Sequence, residues 1–295
     1  RDLSSFPRRR LACLIGAGVA MSLAAAGPYI DLGASLDPTQ PVDLVIAVDL
    51  SLSMTAADVR PSRLERAKFV IQELTESMPE ERLGLAVFAD WPYSVLPMTD
   101  DPALVRFFAE PLTPELIVER DQGTSLALVI THALEMLGTR RRPEAQQVIL
   151  LITDGEGHEN ETQILDVAVA AAEVGVRVWT AGVGTSGGSQ LATLDPDPLP
   201  VLGDDGEPVV SRLNDGLLRR IASAGEGGYR NVSGGTGLRS LLGVFRRAGT
   251  ELAPGGEAVG VALWLVLLAI PLLFVEARMD APGIVELPRL GEQKE

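Results

Sequence analysis

Apolar residues gather in four short runs, separated by stretches in which they recur at helical spacing. The runs are VDLVIAVD at Val42–Asp49, LGLAVFA at Leu83–Ala89, QVILLITD at Gln147–Asp154 and VRVWTAGV at Val176–Val183. Short continuous runs rich in Val, Ile and Leu suit strands buried on both faces of a parallel sheet, although periodicity alone does not separate them from buried helix segments. Between them, Arg60–Met78 carries Leu64, Ala67, Phe69, Val70, Ile71 and Leu74 among charges, which predicts an amphipathic helix packed on the sheet. Leu126–Leu137, the alanine-rich Ile164–Val174, and Leu213–Ala224 with Leu217, Leu218 and Ile221 on one face predict further helices. Asp101–Pro111 predicts a short helix capped by Asp100 or Asp101. Tyr93–Pro97, set between prolines, reads as an edge strand, and Gly228–Val232 as a last strand. Leu199–Val210 reads as a small hairpin around Asp204, Asp205 and Gly206. Strands alternating with helices predict an α/β fold over residues 40–250: a doubly wound, mostly parallel sheet with helices on both faces.

Two longer apolar stretches flank this unit. Leu11–Ala26 is uncharged and follows Arg8, Arg9 and Arg10, which predicts a membrane helix over residues 11–30. A cleaved signal peptide is the alternative, with Ala24, Ala25 and Ala26 as its cleavage site. On either reading the basic flank at residues 1–10 stays cytoplasmic and residues 40–250 lie outside. Val259–Val275, bounded by Glu257, Glu276 and Arg278 and interrupted by Pro271, predicts a second membrane helix over 258–276. A polar tail follows at 277–295. Composition agrees, because 46% hydrophobic residues and a mean hydropathy of +0.20 are high for a soluble domain alone. A formal charge of −15 argues against nucleic acid as a partner. With Cys13 as the one cysteine, no intrachain disulfide is expected.

The chemistry gathers where two of the strands end. Asp49 closes the first run, and Ser51 and Ser53 follow at two-residue spacing, so an extended segment can turn all three toward one point. The carboxyl ends of strands are where open α/β sheets bind ligands, and hard oxygen donors suit Mg2+. Asp154 closes the third run and is followed by Gly155 and Glu156, while Thr124 stands at the start of a helical pattern. Taken singly, each of these residues is an ordinary turn or helix cap.

In that order, Asp49, Ser51, Ser53, Thr124 and Asp154 resemble the metal-ion-dependent adhesion site of the von Willebrand factor A (VWA) domain. The resemblance implies a Mg2+ ion (Mn2+ or Ca2+ as alternatives) held by these five residues. It also implies that an Asp or Glu carboxylate from a protein partner completes the coordination. Together with GEPVVSRLNDGLLRRIASAGEGGYRNV, the stretch from about Arg10 to Val275 is similar to bacterial membrane-anchored VWA proteins of the aerotolerance (BatA/BatB-like) type. That likeness implies an inner-membrane location with the VWA domain facing the periplasm. It further implies a binding module rather than an enzyme, serving complex assembly or stress tolerance with a MoxR-type AAA ATPase and related VWA proteins. Leu52 and Ala127 depart from the pattern, standing where the family usually has Gly.

Other readings stay open on the residues alone. Gly182–Gly187, GVGTSG, matches a dinucleotide-binding pattern after a strand, yet no helix is predicted there to receive a phosphate. An NAD-type enzyme would rest on that stretch, and a metal-dependent hydrolase on water polarised at the Asp49 cluster. Against both, no Gly-x-Ser-x-Gly elbow occurs, and His158 is the one His or Lys in the motif loops. A pore is a third reading, for which the two apolar stretches supply few polar residues. His158, in GEGHENE, either borders the metal or belongs to a solvated loop, and His132 falls inside a helical pattern as a structural residue. Trp91 and Tyr93 are candidate partner contacts.

Overall fold

The computed structural model describes residues 29–31, 36–37, 40–116, 123–139, 141–157, 159–194, 197, 199–203, 205–246 and 258–260. The chain divides into two units, Gly33–Glu257 and a second made from Arg1–Leu32 with Ala258–Glu295. In the second unit, β1 (Tyr29–Asp31) pairs antiparallel with β10 (Ala258–Gly260). The predicted membrane helices reached into both of these segments, which are strands instead. The remainder of both predicted spans lies outside the described residues. Among the described residues no helix is long and apolar enough to cross a membrane.

The larger unit is built on six strands in the order β4-β3-β2-β5-β6-β9. These are β2 (Val42–Asp49), β3 (Arg82–Phe88), β4 (Pro92–Thr99), β5 (Gln146–Thr153), β6 (Val176–Gly182) and β9 (Glu226–Asn231). All pairs are parallel except β3–β4, which leaves Pro92 and Pro97 on an antiparallel edge strand where a missing N–H is tolerated. β2 is buried along its whole length, as an unbroken apolar run at the centre of a sheet must be.

Helices cover both faces. On one lie α1 (Arg63–Ser77), α2 (Pro102–Ala109) and α6 (Gly235–Phe245), packed with Leu44, Ile46 and Val48 of β2. On the other lie α3 (Leu126–Gly138), α4 (Glu161–Glu173) and α5 (Asp215–Ala224), packed with Val45 and Ala47. The alternation of β2 side chains between the two clusters is the strand period of two expressed in packing. Caps set the helix starts: Ser62 accepts from the Glu65 N–H, Asp101 from Ala103, Asn160 from Thr162 and Asn214 from Leu217. The α4 cap at Asn160 begins that helix three residues before the predicted start.

Two expectations need correcting. Phe69 was grouped with the inward face of α1, but Leu64, Ala67, Val70, Ile71 and Leu74 fill that face and Phe69 points to solvent. Helix α6 was not predicted at all, because GTGLRSLLGVF opens on glycines and its N-cap, Gly234, makes no side-chain bond. It covers Trp179, which is wholly buried with its ring 5.7 Å from Phe245. On the same side β9 comes unusually close to β6, since a Cβ on Gly227 would lie 2.2 Å from the Val178 carbonyl oxygen.

Between β6 and α5 runs an arm with a two-stranded ribbon, β7 (Ser189–Gln190) with β8 (Val210–Ser211). Further bridges join Ala192 to Pro200 and Leu202 to Pro208, in the region expected to form a hairpin. As expected, no helix opens at Gly182–Gly187.

Candidate functional site

β2 and β5 are adjacent and parallel, so their carboxyl ends deliver Asp49 and Asp154 to the same edge of the sheet. Both carboxylates are fully buried. The chain after β2 turns at once: the Leu50 N–H donates to the Phe88 carbonyl at 2.8 Å, and a 3-10 turn forms over Leu52–Thr55. That turn brings the Ser51 and Ser53 hydroxyls within 3.0 Å of each other. The Ser51 N–H donates to Asp49 Oδ1 at 2.8 Å, and the Thr153 hydroxyl donates to Oδ2 at 2.5 Å. On Asp154, Oδ1 accepts the Glu156 N–H at 3.0 Å, and the Ser53 hydroxyl also bonds to this carboxylate.

Thr124 comes from the loop before α3 and is buried as well. The Ser125 N–H ties this loop to the Ala89 carbonyl at 2.8 Å. Glu159 ties it to the β5 side by accepting from the Ser125 hydroxyl and from the Ala127 N–H. The loops themselves touch, since a Cβ on Gly157 would sit 3.1 Å from the Thr124 carbonyl oxygen. Asp49, Ser51, Ser53 and Asp154 thus share one hydrogen-bonded cluster, with Thr124 on the loop beside it.

An unforeseen cation enters this cluster. Arg63, the first residue of α1, is fully buried and donates from Nη1 to Asp154 Oδ2 and to the Ser211 hydroxyl, both at 2.6 Å. Its Nε and Nη2 form a fork on Asp58, at 2.8 and 2.9 Å. Asp58 also accepts from the N–H and hydroxyl of Thr185, at 2.8 and 2.9 Å. One guanidinium therefore joins the loop after β2, the end of β5 and both ends of the β7–β8 arm.

Electrostatics follow the burial. Desolvation, then the charge of Asp154, pushes Asp49 up to about 7 against the hydrogen bonds from Ser51 and Thr153. Burial also raises Asp154, outweighing Ser53, the Glu156 N–H and Arg63. Burial would raise Asp58 too, but bonds from Arg63 and Thr185 overcome it and hold this carboxylate at about 2. Asp58 matches Arg63 charge for charge, which leaves Asp49 and Asp154 as the groups that favour an added cation.

Sequence reasoning missed Arg63, Asp58, Thr153 and Ser211. A charge in the first turn of an amphipathic helix looks solvated, and nothing local marks Ser211. The one available signal was the short step from Ser53 to Asp58 and Arg63. Of the other residues singled out, His158 lies outside the described residues. His132 lies 2.8 Å from the Ser94 hydroxyl on the β4 edge. The glycine-rich stretch packs inward: a Cβ on Gly184 would lie 3.1 Å from Arg63 Nε. No group of three or more His, Cys, Asp or Glu side chains is placed to hold a metal among the described residues. The donors gathered here are two carboxylates and several hydroxyls, a set suited to a hard, oxygen-seeking cation and poor for a soft one.

Comparison with known proteins places this architecture. Residues 44–156 match the von Willebrand factor type A domain. The crystal structure of BatB from Bacteroides thetaiotaomicron is 34% identical and superposes with a TM-score of 0.62, covering 68% of this chain and 95% of that one. This chain belongs to the VWA family, in its BatB-like branch. An aerotolerance-related membrane protein from Bacteroides fragilis agrees, at 31% identity and a TM-score of 0.62 over 69% of this chain and 98% of that one. A Borreliella burgdorferi relative is 29% identical over 171 residues, and the chain spans about half (49%) of its length. In this BatB-like VWA domain the β2, β5 and α3 loops carry Asp49, Ser51, Ser53, Asp154 and Thr124, the five residues expected from the sequence. Leu52, at its first departure, is the opening residue of the 3-10 turn, and Ala127, at the second, gives its N–H to Glu159.

Proposed function

We propose that this protein is a membrane-associated binding module whose cleft takes up a divalent cation, Mg2+ in the first instance, and through it a carboxylate from a protein partner. The observation that carries this reading is the convergence of Asp49 and Asp154, two fully buried carboxylates on neighbouring strand ends, beside the hydroxyls of Ser51 and Ser53. Asp49, Ser51, Ser53, Thr124 and Asp154 would hold the ion. A bound Mg2+ supplies a hard electrophilic centre that keeps some positions for water or an external oxygen ligand. The chain's own residues do the rest. Ser51 N–H and Thr153 orient Asp49, while Arg63 and Ser211 hold the outer oxygen of Asp154. The tie from Arg63 to Asp58 and Thr185 gives a carboxylate bound at the cleft a route to the β7–β8 arm.

The membrane character of the Bacteroides fragilis relative supports anchoring here, and Arg8–Arg10 support a periplasmic VWA domain. A MoxR-type AAA ATPase and related VWA proteins are the partners this reading favours. Thermal melts of the full chain in detergent, with EDTA or with Mg2+, test the core of it. At a hundredfold excess over its dissociation constant Mg2+ should stabilise the protein by about 2.7 kcal/mol, and Asp49→Ala should lose that gain. A wild type that melts identically in both, or a variant that keeps the full gain, refutes the metal reading.

A further inference from the structure

We propose that the groove between α1 and α2 is a second docking site, which takes an acidic amphipathic helix of a partner protein and works without metal. Helix α2, PALVRFFA, is apolar on both sides. Pro102, Val105 and Ala109 face the core, whereas Leu104, Phe107 and Phe108 face outward, Phe107 at 68% exposure. A surface helix that carries large apolar side chains on its outward face as well as its core face implies a cover for the second.

The neighbours of α2 carry the same signal. Of the five exposed aromatic residues among the described residues, four lie on it or line the recesses beside it: Phe69, Tyr93, Phe107 and Phe108. Phe108 and Tyr93 line an apolar recess of about 390 Å3 on its sheet side. On its other side, α1 and α2 enclose a groove of about 710 Å3 with Ile71 and Ala109 among its lining residues and Phe69 and Phe107 at its walls. Exposed aromatics beside arginines are the composition of protein-binding hot spots.

Charge selects the partner. The groove is lined by Arg60, Arg66, Lys68 and Arg106 against Glu65 and Glu110, a basic strip on a chain of net charge −15. Lys68 is engaged by Glu65 at 2.7 Å, and Arg66 by the carbonyls of Val232 and Gly234, with its guanidinium over Phe69. Arg60 and Arg106 form no ion pair among the described residues. Shape selects against a lipid surface, since a flat bilayer cannot fill a recess between two helices. A third helix can, by laying apolar residues at i, i+3 and i+4 between Phe69 and Phe107 and carboxylates along Arg60 and Arg106.

The test uses the full chain in neutral-lipid nanodiscs with EDTA present, probed with two synthetic peptides. One alternates Glu and Leu at helical spacing, and the other replaces each Glu by Lys. The Glu/Leu peptide should bind about tenfold or more tightly, and weaken as salt screens the arginines. Phe107→Ser, at an exposed position, and Arg106→Glu, at a half-buried one where the guanidinium also reaches the Thr75 hydroxyl at 3.4 Å, should each cost about tenfold, while Asp49→Ala should change nothing. That last arm separates this site from the metal reading, which can fail without affecting it. Equal binding of the two peptides, or wild-type binding by both groove variants, overturns the proposal. So does Phe107-dependent retention of anionic phosphatidylglycerol vesicles without peptide binding, which would make the surface a lipid contact.

Discussion

Replacing Arg63 by Met gives the sharpest test of how the cleft is held together. The substitution keeps an unbranched side chain of helical preference but withdraws the guanidinium that pairs with both Asp58 and Asp154. Asp154 is fully buried, and Asp58 is 6% exposed at its side chain, so water cannot take over from the guanidinium. Breaking a buried ion pair from one side costs about 3–5 kcal/mol, because the partner stays behind uncompensated. That is a large share of the roughly 5–15 kcal/mol by which domains are stable, yet a folded variant is expected. Urea unfolding followed by far-UV circular dichroism, in EDTA, measures the loss as a lower midpoint at unchanged slope. Adding Asp58→Asn discharges one of the two orphaned carboxylates. The double variant should then lose about 1–3 kcal/mol less than the sum of the single losses. A cost below about 1 kcal/mol for Arg63→Met, or strict additivity with Asp58→Asn, would refute the account of Arg63 as the electrostatic keystone of the site.

Two further outcomes are expected. Asp58 has its folded pKa depressed from 3.8 to about 2, so its contribution of about 2 kcal/mol is complete above about pH 4 and disappears as pH falls toward 2; acid titration of Asp58→Asn should lack that decline, and an unchanged profile would contradict the Arg63 and Thr185 contacts. Gly155 has φ +74°, and a Cβ there would lie 2.8 Å from Leu218 Cγ, so Gly155→Ala should cost about 1–3 kcal/mol in a urea melt, with a neutral result excluding this backbone at the end of β5.

What the sequence disclosed depended on how locally each feature is encoded. The runs at Val42, Leu83, Gln147 and Val176 became the four central strands, since burial on both faces leaves nothing but apolar residues to write there. Pro92 and Pro97 marked β4 as an edge because a missing N–H is tolerable only at one. Phe69 misled because its hydrophobicity belongs to the groove with α2, not to the core, and composition cannot tell those two uses apart. Helix α6 escaped because its glycine start lacks a capping side chain. The five cleft residues were legible as an ordered pattern, spread over three loops at one end of the sheet. Their bracing was not, since the contact of Arg63 with Asp154 spans 91 residues and that with Ser211 spans 148.

The Thr153 hydroxyl reaches Asp49 across 104 residues of chain, and this distance governs when the cleft can exist. Closing so long a loop draws on chain entropy before any contact at its ends gives a return. Nothing can bind both carboxylates until β2 and β5 have paired, so an occupant meets a chain whose central sheet is already in place. Its grip is then felt on the way out of the native state, as a slower unfolding rate, with little change in how fast that state is reached. On the reading proposed above, that would make the filled cleft a determinant of the protein's lifetime as well as of its partner choice.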